Sequence, residues 1–169
     1  MKIGKIISEY HPSKVLIHFG GASARKSGLL ERVENCLKEE NISFVELGGV
    51  VANPELSMVR EGIALGKREG VDFVLAVGGG SVLDSSKAIA NGLANPDVDV
   101  WDFSLGKAAP ARTLPKGAIL TLAAAGSEMS SSCVITNAAT GEKRGYNSSF
   151  NRMNSVSYTH LTLPTKLEV

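Results

Sequence analysis

Three consecutive glycines followed by a hydroxyl, Gly78-Gly79-Gly80-Ser81, are the residues whose types and spacing bear most directly on chemistry. Without Cβ atoms, a reversing backbone brings its N–H groups close to a bulky anion, and a helix starting there adds the positive end of its dipole. A diphosphate suits such a corner. The same residues also fit a tight strand-to-helix turn in which Ser81 caps the helix and Asp84 completes a Ser-x-x-Asp arrangement. Taken alone, the turn fits both readings. Ser127, before Glu128, reads as a helix cap or a phosphate contact, with capping the simpler choice. No GxGxxG follows either glycine turn, and Gly80 to Lys87 lacks the Gly-Lys-Ser/Thr ending of a triphosphate-binding loop. His11 and His160 have no partner at metal-binding spacing, and His18 reads as a packed or rim histidine rather than a ligand. No Ser/His/Asp or Cys/His set assembles.

The elements around these turns alternate. Lys14 to Phe19 is an apolar run ending at Gly20-Gly21, and an amphipathic stretch follows with Leu29, Leu30, Val33, Cys36 and Leu37 on one face. Ile42 to Leu47 supplies a second strand. Asn53-Pro54 resembles an N-cap with Pro at the first helical position of a helix that ends near Gly70. Val71 to Val77 is nearly continuously apolar, as a central parallel strand covered on both faces would be. Ala118 to Leu122 runs into a third small-residue corner, Ala123 to Gly126, and Cys133 to Thr136 pairs with the Lys143 region in a hairpin closed near Thr140-Gly141. Strand, turn and helix in this order predict an α/β fold, a doubly wound parallel sheet whose ligand lies at the carboxyl ends of the strands.

Composition narrows the functional classes. The chain has 169 residues, 43% hydrophobic and 21% charged, as expected for one compact domain. Eighteen Lys and Arg against 17 Asp and Glu give +1, which offers no electrostatic case for nucleic acid or an anionic membrane. No apolar run approaches the roughly 20 residues of a membrane helix, and MKIGKIISEY has no signal-peptide core. Cys36 and Cys133 form no CxxC pair, so a reducing cytoplasm is the expected compartment.

Read together, the blocks resemble the iron-containing (group III) alcohol dehydrogenases, especially their butanol dehydrogenase-like, NADP-dependent branch. The matching residues are Phe19-Gly20-Gly21-Ala22-Ser23, Asn53-Pro54, Gly78 through Lys87, Trp101-Asp102, Thr121-Leu122 and Gly126-Ser127-Glu128-Met129. The resemblance implies a dehydroquinate synthase-like dinucleotide-binding domain. It assigns Gly79, Gly80 and Ser81 to the cofactor pyrophosphate, with Asp84 nearby, and Thr121, Leu122, Ser130, Val134 and Lys143 to the adenosine, ribose and nicotinamide path. Members that prefer NAD often carry an acid in the first turn; here Gly21 is followed by Ser23, Arg25 and Lys26. A cation attracts a 2′-phosphate, so NADP is expected over NAD.

The chain departs from the family at Ala123 and Ala125, where Pro and Thr are usual, and in length. Family members are roughly twice as long, with an all-helical domain carrying one Asp and three His for iron or zinc. The expected organisation is a dinucleotide-binding domain over 1–152 and a tail over 153–169. Val156 to Thr165 resembles a translated sequencing adapter and is expected to add nothing to the fold. The implied reaction is hydride transfer between a primary alcohol or aldehyde and NADP(H), with this chain alone expected to be inactive and to carry neither catalytic nor metal residues. The alternatives are a non-catalytic nucleotide-binding module, or a relative of glycerol dehydrogenase or dehydroquinate synthase. Residues 1–10 resemble the family's N-terminal strand, which would leave an exposed edge for a homodimer.

Overall fold

A computed structural model describes residues 2–122, 124 and 126–159, apart from the side chain of Ser23. Five strands form one parallel sheet: β1 (Val15–Phe19), β2 (Phe44–Leu47), β3 (Phe73–Gly78), β4 (Lys116–Leu120) and β7 (Ser155–Tyr158), in the spatial order β2-β1-β3-β4-β7. Side chains alternate between the sheet's faces. Phe73, Leu75 and Val77 join Val15 and Ile17 in a core beneath α1 (Ile3–Ser8) and α3 (Leu29–Glu39). Leu16 and Val74 point the other way, against α4 (Leu56–Glu69), α5 (Gly80–Ala94) and α6 (Val100–Ser104), through Val59, Ile89 and Trp101. Because both faces are covered, the central strands are buried at every position, which explains their largely apolar sequence, with His18 and Lys116 as buried polar exceptions. An antiparallel hairpin, β5 (Ser132–Asn137) and β6 (Glu142–Asn147), forms a separate two-stranded sheet packed on α5.

The doubly wound parallel sheet and the hairpin agree with the sequence reading. Three local expectations do not. Residues 3–8 are helical: Ile3 and Ile7, one turn apart, are both buried, and Gly4 sits so close to the Cys36 carbonyl that no Cβ would fit. Docking on α3 therefore makes this segment α1, and the strand edge expected there for a homodimer is absent. Second, α4 starts at Leu56 with Glu55 as N-cap, so Pro54 is not its first residue. The Thr136 N–H donates to the Pro54 carbonyl at 2.9 Å, and Glu55 bridges Thr136 in parallel, holding this segment extended. Asn53 takes a left-handed φ of 58°. Third, Ser155–Tyr158 lies past the boundary expected at residue 152, yet it forms the sheet's edge beside β4.

The strand order reverses between β1 and β3, because the chain steps to β2 on one side and then returns to β3 on the other. Such a reversal leaves a crevice outside the carboxyl ends of the two strands. Gly20-Gly21 and Gly78-Gly79 stand there.

Candidate functional site

Two cavities flank the glycine corner. The first, about 330 Å³, is bounded by Gly20 and Gly21 after β1, Gly78 and Gly79 after β3, Thr121 after β4, and Arg32 of α3. The second, about 360 Å³, lies between Asn53, Gly80, Ser81, Asp84, Ser127, Val134 and Lys143. The corner between them is shaped by packing: a Cβ at Gly78 would stand 2.5 Å from Val82 Cγ2. Helix α5 begins at Gly80 with Gly79 as N-cap, and among the described residues no side chain caps its first N–H groups. Ser81 is therefore not the cap. The start of a 15-residue helix, uncapped and opening between two cavities, fits an anion flanked by two bulky groups.

Asp84 does not complete a capping box either. Its Oδ1 accepts from Ser127 Oγ at 2.7 Å and from Lys87 Nζ at 3.2 Å, and its Oδ2 accepts from the Val134 N–H at 3.1 Å. Lys87, fully buried, also donates to Ser127 Oγ at 2.9 Å and to the Ser132 carbonyl at 2.8 Å. Together they clasp α5 to the Ser127 turn and to the first residues of β5. Ser127 lies in a turn after Gly126, whose φ is 68°, and its hydroxyl belongs to this clasp rather than to a helix cap. The Cys133 thiol donates to the Asp84 carbonyl at 3.2 Å, and burial pushes it up to about 12, so it is not a nucleophile near neutral pH.

Beneath the corner lies His18, fully buried. The Leu47 carbonyl, 2.8 Å from Nδ1, can only accept, so Nδ1 carries the proton and Nε2 accepts from Ser85 Oγ at 2.7 Å. Burial lowers its pKa to about 4, the Leu47 hydrogen bond opposing in part. It is a packed, neutral histidine. Among the described residues, no group of three or more His, Cys, Asp or Glu could hold a metal ion. No helix among the described residues is long and apolar enough to cross a membrane.

Of the residues assigned by resemblance, Gly21, Gly79 and Thr121 line the first cavity, and Gly80, Ser81, Asp84, Val134 and Lys143 line the second. Leu122 stands at the rim, 66% exposed. The Ser130 hydroxyl accepts from the Ser132 N–H and borders neither cavity. Arg25 also borders neither. Its Nη2 donates to Glu46 Oε2 at 2.6 Å, and its guanidinium lies 5.2 Å from the centre of the Phe19 ring. Ser23 belongs to α2 (Ala22–Lys26). Ala123, Ala125 and the residues from His160 onward fall outside the described residues. Sequence reasoning missed Asn53, whose Oδ1 accepts from Lys143 Nζ at 2.6 Å across the second cavity. An Asn before Pro signals a turn, and only the hairpin's return brings Lys143 to it.

A profile of the family described as "Iron-containing alcohol dehydrogenase" matches residues 1–156. "Probable NADH-dependent butanol dehydrogenase 1" of Bacillus subtilis is 49% identical over 134 residues, covering 79% of this chain and 34% of that protein. The "NADPH-dependent aldehyde reductase YqhD" of Escherichia coli is 38% identical over 140 residues, covering 82% of this chain and 36% of that one. Among solved structures, NADH-dependent butanol dehydrogenase A from Thermotoga maritima superposes with a TM-score of 0.89 and 42% identity, over 93% of this chain and 39% of that one. The chain thus spans about a third of the length of the curated relatives it matches.

Proposed function

The chain belongs to the iron-containing alcohol dehydrogenase family, and from that premise we propose that it is the dinucleotide-binding part of an enzyme that moves hydride between a primary alcohol or aldehyde and NADP(H). The observation that carries the proposal is the uncapped start of α5 opening between two cavities. A dinucleotide has the same layout, with two nucleosides joined by a diphosphate. The main-chain N–H groups of Gly80 and Ser81 hold the diphosphate beside Gly79. Gly21 and Thr121 bound the adenosine half. Val134, Asn53 and Lys143 bound the nicotinamide half, where the Lys143 ammonium, held by Asn53, is placed to donate to ribose hydroxyls.

The relatives' names divide between NADH and NADPH. Among the described residues no carboxylate lines the first cavity, which supports NADP: an acid there would accept from a 2′-hydroxyl and repel a 2′-phosphate. When bound, the nicotinamide carries the hydride, and a divalent metal, iron or zinc, supplies Lewis-acid polarisation of the alcohol oxygen. The metal ligands of the complete enzyme belong to the two-thirds of the relatives that this chain does not span. The role of the residues present is to orient the cofactor, and the chain alone is catalytically silent.

Fluorescence titration with NADPH and NADH tests this reading. The purified chain is expected to bind NADPH more tightly and to show no turnover of butanol or butyraldehyde. Turnover by the chain alone would refute its silence, and failure to bind either nucleotide at millimolar concentration would remove the site.

A further inference from the structure

We propose that Arg32, on the outer face of α3, is the residue that reads the 2′-phosphate of the adenosine ribose, and that Arg25 serves instead to cancel the charge of Glu46. The inference rests on the dinucleotide reading above and assigns the group that sets its cofactor preference.

Glu46 lies on β2 beside Ile17 of β1, near the carboxyl end of the strand. In dinucleotide-binding sheets, an acid at about this distance after the first glycine turn accepts from the 2′-hydroxyl of NAD. A free Glu46 would favour NAD and repel a 2′-phosphate. In this chain its carboxylate is taken up by Arg25 at 2.6 Å, and the same guanidinium is stacked on Phe19. Pairing and stacking turn Arg25 toward Glu46 and Phe19, and it does not line the cavity.

Arg32 differs on both counts. It lines the first cavity with Gly20 and Gly21, and among the described residues no side-chain hydrogen bond or ion pair engages its guanidinium. A guanidinium presents parallel N–H donors that match two phosphate oxygens, and a dianionic phosphate is a much better partner for it than a hydroxyl. Among the described residues, the cavity is lined by one unpaired cation and no acid. That combination discriminates for the phosphorylated ribose.

The test uses only the adenosine half of the cofactor, so it does not depend on any part of the enzyme outside this chain. The 169-residue protein is titrated calorimetrically with 2′,5′-ADP and with 5′-AMP. Wild type is expected to prefer 2′,5′-ADP by about tenfold or more, the ratio that one charge-assisted contact supplies. Arg32→Gln should bring the ratio close to one while 5′-AMP still binds. Arg25→Gln combined with Glu46→Gln, which removes the pair without changing net charge, should keep it. Arg32 and Arg25 are exposed and Glu46 is partly buried, and thermal melting serves as the folding control for every variant. A ratio that survives in Arg32→Gln, or one lost in the double variant, overturns the assignment. A wild type that prefers 5′-AMP, or binds both equally, also overturns it and leaves the dinucleotide site standing. Absence of binding by both probes removes the site as well.

Discussion

His18 shows how far a single side chain can be fixed by its surroundings. It is held between the Leu47 carbonyl and the Ser85 hydroxyl, in the middle of a covered strand, and stays neutral until about pH 4. An unfolded chain takes up this proton at about 6.5. Between those two values the unfolded state binds more protons than the native state, so stability falls as pH drops from about 6.5 to about 4. The loss reaches about 3 kcal/mol. His18→Gln removes this proton while keeping hydrogen-bonding groups. Urea denaturation should therefore show wild type the more stable at pH 7, with the gap closing as the pH approaches 4. A gap that stays constant would mean that the ring is not buried as described. Other residue roles were hidden because their partners are distant in sequence. Asp84 meets Ser127 and Val134 from 43 and 50 positions away, and Arg25 meets Glu46 from 21. No local pattern carries that information, so Ser-x-x-Asp reads as a capping box and Arg25 as an open cation.

At the scale of elements, the glycine corner and the hairpin were legible because each is specified locally. Continuous apolar residues followed by three glycines demand a buried strand and a turn, and Thr140-Gly141 supplies a left-handed Gly141 with φ 70°. The start of α4 and the nature of α1 were not legible. In both, a contact made from elsewhere decides: Thr136 holds Pro54 and Glu55 extended, and α3 receives Ile3 and Ile7 as one face of a helical turn. The clasp joining α5 to β5 has energetic weight of its own. Asp84→Asn would leave the buried Lys87 ammonium without its counter-charge, a change that costs about 3 kcal/mol when a buried pair is broken. Thermal and urea melts should show that loss. Pairing the change with Lys87→Met, which removes the stranded charge, should recover a good part of it. No recovery would mean that the carboxylate acts through Ser127 and Val134 alone.

On the scale of the whole molecule, the parallel sheet positions the two cavities, and the hairpin closes one of them. The family resemblance was legible over nearly the whole match because its blocks keep their order and spacing, and the structural relatives share this sheet. The far edge was not: Ser155–Tyr158 alternates Ser with Val and Tyr as a strand does, but its likeness to a translated adapter set it outside the fold, and its register with Gly117 to Leu120 restores it. Leu122 and Met129, 66% and 71% exposed, stand on the side of the corner where β4 ends. The hairpin is packed on the body through Cys133, Ile135 and Tyr146, and hydrogen bonds along it add to that packing. Its tip strand carries Lys143 to Asn53, its first strand touches Glu55 through one bridge, and its base is gripped by Lys87. A nucleotide in the second cavity would touch Val134 and Lys143 of the hairpin together with Asn53 and Asp84 of the body, and would stiffen the hairpin on that side. The backbone amides of residues 132–147 then become a built-in gauge of occupancy: their deuterium uptake should slow several-fold when NADPH is added, while uptake in α1, across the sheet, stays the same.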